Sequence, residues 1–135
     1  MALHIRDFRQ SDTAGLSRLS PAAHRLGDPP EFTSGDRILA GLREDRLAAA
    51  IWFKLEGKTG MISAIIVART AFWQSDVQEL IAEASLWLAL RGVTCIEMKT
   101  VPEDSALLAG LRDMHFKADE RAGTMCRLVP ARSAA

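Results

Sequence analysis

The chain has 135 residues, 48% of them hydrophobic and 25% charged, with 17 Lys and Arg against 17 Asp and Glu. Such a composition fits one globular domain, able to bury about two-thirds of its unfolded surface. Balanced charge argues against a protein built to hold nucleic acid or an anionic membrane. No apolar run approaches the roughly 18 residues of a membrane span, and Met1 to Arg9 holds no signal-peptide core, so the expected compartment is the cytoplasm.

The elements read as follows. Leu3 to Phe8 is a short, mixed edge strand. Gln10-Ser11-Asp12-Thr13 supplies a helix cap, and Leu16 and Leu19 share one helical face until Pro21 interrupts. Three prolines and two glycines between Ser20 and Gly35 predict a short helix with loops. Arg37 to Arg43, Leu47 to Leu55 and Met61 to Val67 read as three consecutive strands joined by the polar turns Glu44-Asp45 and Glu56-Gly57-Lys58, an antiparallel arrangement. Met61 to Val67 is nearly all apolar, as a strand covered on both faces must be. Asp76 to Arg91 is the strongest helix: Val77, Leu80, Ile81, Ala84, Trp87 and Leu88 form one stripe, and Arg91-Gly92 ends it. Val93 to Thr100 is a further strand. Asp104 to Met114 is a second amphipathic helix, and Phe116 to Glu120 with Thr124 to Val129 closes the domain as a hairpin. Residues 1–130 thus make one domain, and 131–135 a small polar tail.

Ile5-Arg6-Asp7-Phe8 with Ser11-Asp12, the run Ile65-Ile66-Val67 followed by Trp73-Gln74, and the helix Leu111 to Phe116 occur in an order that resembles the GCN5-related N-acetyltransferases, the GNAT family. The resemblance covers nearly the whole chain. It implies an α/β (α+β) fold, a mixed, mostly antiparallel twisted sheet flanked by helices, in the order β-α-α-β-β-β-α-β-α-β-β. It implies a sheet that splays between its fourth and fifth strands. The pantetheine arm of acetyl-CoA then pairs with the fourth strand, and the pyrophosphate sits on the loop that follows. Carried onto this chain, the cofactor-binding positions are Ile66, Val67, Gln74, Ser75, Asp76, Val77 and Gln78. The partners implied are an acyl-CoA and an unidentified amine acceptor.

The chain departs from the family pattern where Gln74 anchors the loop. Val77 and Glu79 stand where small residues belong, and valine disfavours the positive φ that glycine allows. Asp76 and Glu79 would bring negative charge to a diphosphate. Ser75-Asp76-Val77-Gln78 also reads as a capping box, in which the helix satisfies its own free amides. The family's usual proton donor is a tyrosine on the last helix; Leu111 falls near that position, and the chain contains no tyrosine. Ser63, His115 and Cys95 are the remaining catalytic candidates, His115 by its titration range, and Glu56 is a turn carboxylate. His24, Asp28 and Glu31 are the polar groups of the segment that resembles the acceptor-side lid. His4, His24 and His115 lack metal-ligand spacing, so no metal is expected. Cys95 and Cys126 read as packing residues, with a disulfide as the alternative. Trp52, Trp73 and Trp87 read as core or interface residues. Two functions remain: an N-acetyltransferase with a divergent site, active or inactive, and a non-catalytic GNAT-like binding or regulatory module that does not use acetyl-CoA. In the second case the partner is a protein, and an exposed Trp73 or the closing hairpin is where it, or a second copy in a homodimer, would pair.

Overall fold

A computed structural model describes residues 3–19, 22–30, 35–119 and 121–128. The elements are β1 (His4–Asp7), a 3₁₀ turn (Gln10–Asp12), α1 (Thr13–Leu19), β2 (His24–Leu26), β3 (Arg37–Arg43), β4 (Arg46–Glu56), β5 (Thr59–Val67), α2 (Trp73–Ala89), β6 (Cys95–Met98), α3 (Ser105–Asp113), β7 (Lys117–Asp119) and β8 (Thr124–Leu128). They form one sheet in the order β1-β3-β4-β5-β6-β8-β7, with β2 paired to β5 off that path. Every pair is antiparallel except β5 with β6.

Local chemistry accounts for the hairpins. Glu44 and Asp45 both take positive φ, 53° and 63°, the backbone that a two-residue turn needs to match strand twist. The 3₁₀ turn is closed by Asp12, whose carboxylate accepts from the Arg9 amide at 2.8 Å and receives both ends of the Arg6 guanidinium at 2.7 and 2.9 Å.

The sheet is covered on both faces. One face carries α1, with Leu16 and Leu19 against Ala50, Trp52, Ala64 and Ile66. The opposite face carries α2 and α3, where Val77, Leu80, Ile81, Leu88, Leu107 and Leu111 pack on Ile51, Phe53, Ile62 and Ile65. Close approach is set at Gly60, where a Cβ would stand only 2.5 Å from a methyl of Leu88. This double cover is why β5 reads as a continuous apolar run.

The strands expected at Arg37 to Arg43, Leu47 to Leu55 and Met61 to Val67 form, the last two extended to Arg46–Glu56 and Thr59–Val67. The segment expected as a helix with loops contains a strand instead: β2 pairs with β5 through His24↔Val67, Arg25↔Ile66 and Leu26↔Ile65. Helix α2 begins at Trp73 rather than Asp76, and the capping box does not form. Phe72 is the N-cap, with no side-chain cap bond. Thr70 stops the chain instead, its hydroxyl accepting from the Phe72 amide at 3.1 Å and its carbonyl from the Trp73 amide at 3.3 Å. Ser75 is therefore already inside the helix. Strand β6 is shorter than Val93 to Thr100, and Asp104 caps α3 rather than starting it. Glu31, Glu120, Val129 and the tail 131–135 lie outside the described residues.

Candidate functional site

The sheet opens at a bulge. Opposite β4, Trp52 pairs with Ala64 and Phe53 with Ile62, which leaves Ser63 as the extra residue of β5. An extra residue bends a strand and sharpens its twist. Before the bulge, Thr59 to Ile62 pair in parallel with Cys95 to Met98. Beyond it β5 runs on to Val67, and its free edge is taken by β2. The bulge is tied from both sides: the Ser63 hydroxyl donates to Asp36 at 2.8 Å, and its carbonyl lies where a Cβ on Gly27 would come within 2.6 Å. Gly27, at φ 63°, lets the chain leaving β2 pass over that carbonyl.

The wedge so formed has a polar lock. His24 is buried, and its Nδ1 lies 2.6 Å from Oδ2 of Asp104. Asp104 caps α3, its Oδ1 accepting from the amides of Ala106 and Leu107 at 3.0 and 3.1 Å. Arg69, from the loop before α2, reaches the same Oδ2 at 3.3 Å. Burial alone would push the Asp104 carboxyl up. The His24 hydrogen bond and the two amides outweigh it and hold the carboxyl below its ordinary range. The His24 ring lies against Trp73, with centroids 4.4 Å apart, and Trp73 packs against Gly110 of α3, where a Cβ would meet the indole at 3.4 Å. Trp73 is thus half-buried structure, not the exposed docking residue expected.

The first turn of α2 faces two ways. Val77 is fully buried in the core, and Glu79 lines a separate hollow with Leu3 and Ile5. Asp76 is fully buried and ion-paired to Arg43, whose guanidinium also lies 4.8 Å from the Phe72 ring centroid. Its Oδ2 is buried without a hydrogen-bond partner among the described residues. Of the two charges expected to repel a diphosphate, Asp76 is therefore paired inside the protein. Gln74, Ser75 and Gln78 are exposed. The loop 68–72 uses no positive φ, so it needs no glycine. Ile66 and Val67 are buried, with β4 on one edge and β2 on the other.

Among the three catalytic candidates, Ser63 stands at the mouth of the wedge. Cys95 opposes Thr59 at the far end of β5, and exposed His115 ends α3 with φ 71°, at the opposite end of that helix from Asp104. Cys95 and Cys126 lie on the paired strands β6 and β8 as free thiols; burial and the neighbouring Cys126 push the Cys95 thiol up. Among the described residues no three His, Cys, Asp or Glu side chains converge to hold a metal ion, and no helix is long and apolar enough to cross a membrane. The His24–Asp104 contact is the feature that sequence reading missed. Its only trace was an Asp three positions before Leu107, an N-cap spacing.

No protein-family model matches the sequence, and no curated protein is similar to it. Solved structures are similar in fold. The ribosomal-protein-S18-alanine N-acetyltransferase of Escherichia coli superposes with a TM-score of 0.74 at 12% identity, over 98% of this chain and 97% of that one. The PaiA N-acetyltransferase of Thermoplasma acidophilum, crystallised with coenzyme A, gives 0.74 at 11% identity, over 95% and 99%. An acetyltransferase of the GNAT family from Staphylococcus aureus Mu50 gives 0.71 at 8% identity, over 95% and 99%. The chain has the GNAT fold.

Proposed function

We propose that this GNAT-fold protein transfers an acyl group from an acyl-CoA thioester to an amine. The observation that carries the reading is the parting of β5 from β6 at the Ser63 bulge, beside the first turn of α2, whose N-cap residue Phe72 makes no side-chain cap bond. An α-helix leaves its first amides without intrahelical partners, and together with the helix dipole these favour phosphate. Gln74, Ser75 and Gln78 are exposed on that turn and take the role of phosphate contacts. Asp76, sealed against Arg43, does not oppose it.

In the reaction the amine nitrogen attacks the thioester carbonyl, a C–N bond forms and the C–S bond breaks. The attacking ammonium must first lose a proton, and the leaving thiolate must gain one. The His24 imidazole can accept the first proton, and Asp104 fixes its ring through Nδ1. We assign His24 that role, directly or through one water.

Titration calorimetry with acetyl-CoA, followed by thiol release in the presence of a panel of primary amines, tests the reading. Acetyl-CoA at about 100 times its Kd should stabilise the fold by about 2.7 kcal/mol. In amine turnover, His24→Gln should lower kcat about 100-fold while leaving the acyl-CoA KM nearly unchanged. Absence of binding at millimolar acetyl-CoA would overturn the proposal in favour of a second reading, a non-catalytic binding module. One observation favours that second reading: the β5 edge that the family offers to pantetheine is occupied by β2.

A further inference from the structure

The outward side of α2 carries an apolar ridge. Val77, Leu80, Ile81, Ala84 and Leu88 commit the helix's main apolar stripe to the core, and the opposite face of such a helix is ordinarily polar. Here Leu86 and Leu90 stand on it, 47% and 55% accessible, one turn apart and in line with exposed Ala82. Residues four apart form one ridge on a helix surface, and a second helix packs against such ridges.

The neighbouring ridge is charged, acidic at one end and basic at the other. It runs through Glu79, Glu83 and Trp87, and Arg91, just past the C-cap Leu90, continues it. Arg91 stacks on Trp87, its guanidinium carbon 3.5 Å from the ring centroid, and donates to the Trp87 carbonyl at 2.9 Å. Among the described residues none of Glu79, Glu83 and Arg91 forms an ion pair. Glu79 and Glu83 rim a hollow of about 310 Å³ whose remaining walls are apolar, from Leu3, Ile5 and Ala82. The arrangement is balanced about Leu86. The midpoint of Glu79 and Glu83 precedes it by as many residues as Arg91 follows it, about 7.5 Å along the axis in each direction.

We propose that the chain forms a twofold homodimer through this face of α2. The two helices cross antiparallel with Leu86 on the axis, Leu90 of each copy lies over Ala82 of the other, and Arg91 of the partner subunit enters the hollow between Glu79 and Glu83. A twofold interface must be complementary to itself. Both ridges meet that condition: the apolar ridge faces its own copy, and the charged ridge faces its copy reversed, base to acid. This order of charges is what selects a second copy of the chain as the occupant. One helix face is small beside the interfaces of obligate dimers, so the association is of the reversible, micromolar class. It stands independently of the acyl-transfer reading.

Sedimentation velocity on the full chain over a concentration series tests this. The wild-type chain should pass from monomer to dimer mass with a Kd of about 1 to 100 µM. Leu86→Arg sets two like charges together on the axis and should weaken association about 100-fold. Leu86 is exposed, so this variant should keep the wild-type circular dichroism and melting temperature. Glu79→Arg with Glu83→Arg should weaken association about tenfold or more, and Arg91→Glu added to that pair should restore most of the loss, because the order of charges is then reversed in both copies. A wild-type chain that is still monomeric at about 500 µM overturns the proposal. So does a dimer whose affinity is unchanged in Leu86→Arg. Failure of Arg91→Glu to restore association overturns the antiparallel pairing.

Discussion

The two halves of β5 are built differently. From Thr59 to Ile62 the strand lies between β4 and β6, with Leu88 pressed on Gly60 and Ile62 buried under the α2 layer. From Ile65 to Val67 the same strand is just as apolar, yet its outer neighbour is a three-residue strand held by a buried His–Asp contact, a Trp–His stack and one arginine. The first half is fixed by packing that is insensitive to salt and pH. The second adds to the burial of Leu26 a set of polar contacts, whose strength varies with both. A single residue, Ser63 at the bulge, divides a rigid scaffold from a responsive one.

The largest expected effect comes from the ion pair that seats α2 over the second half. Arg43→Ala would remove the charge paired with buried Asp76, whose second oxygen already lacks a partner among the described residues. Breaking a buried pair in this way should cost about 3 to 5 kcal/mol. Chemical denaturation would measure it, and Asp76→Asn added to Arg43→Ala should recover much of the loss. A cost below about 1 kcal/mol would mean that Asp76 is hydrated and that α2 is not seated by charge.

Next in size is Ile62→Ala, in the packed half. Removing three carbons from a fully buried site should cost about 2 to 4 kcal/mol. The loss should be the same at pH 5 and pH 8, and in low or high salt. If it varied with pH by more than a small fraction, the division at the bulge would not hold.

How far the sequence reveals this depends on which half is considered. The packed half was readable, because an unbroken run from Met61 to Val67 has one explanation in an α/β fold. The stripe of α2 was readable for the same reason, and it already placed Val77 in the core. Val77 could not then also obstruct an anion at the loop, so the apparent conflict lay within the sequence reading itself. Ser75-x-x-Gln78 was misleading because a capping-box pattern one turn inside a helix looks the same as one at its start. What fixed the start was Thr70, a threonine that no periodicity distinguishes. β2 was hidden for a different reason: three residues carry too little alternation to declare a strand, and its partner lies about 40 positions away in the chain. The catalytic candidates Cys95 and His115 came from residue chemistry alone, and the fold places them at the start of β6, opposite Thr59, and just past the end of α3, away from the wedge.

The smallest expected effect is also the one that tests the responsive half most directly. The Asp104 carboxyl is held below its ordinary range when folded. A depressed folded value means that the group contributes stability above its unfolded pKa, near 4, and loses it as pH falls through the folded value. The groups facing it are His24 and Arg69, with Arg25, Asp28 and Glu103 around an adjoining cavity. Acidification from pH 5 to pH 3 should therefore reduce amide protection at residues 24–26 before it reduces protection at residues 60–62, by an amount equivalent to about 1 kcal/mol. Asp104→Asn should weaken β2 at pH 7 and flatten this dependence, since the amide neither titrates nor attracts the imidazole and guanidinium as the carboxylate does. If both halves of β5 lose protection together in the wild-type chain, the lock is not what holds β2. The bulge would then divide the geometry of the strand without dividing its stability.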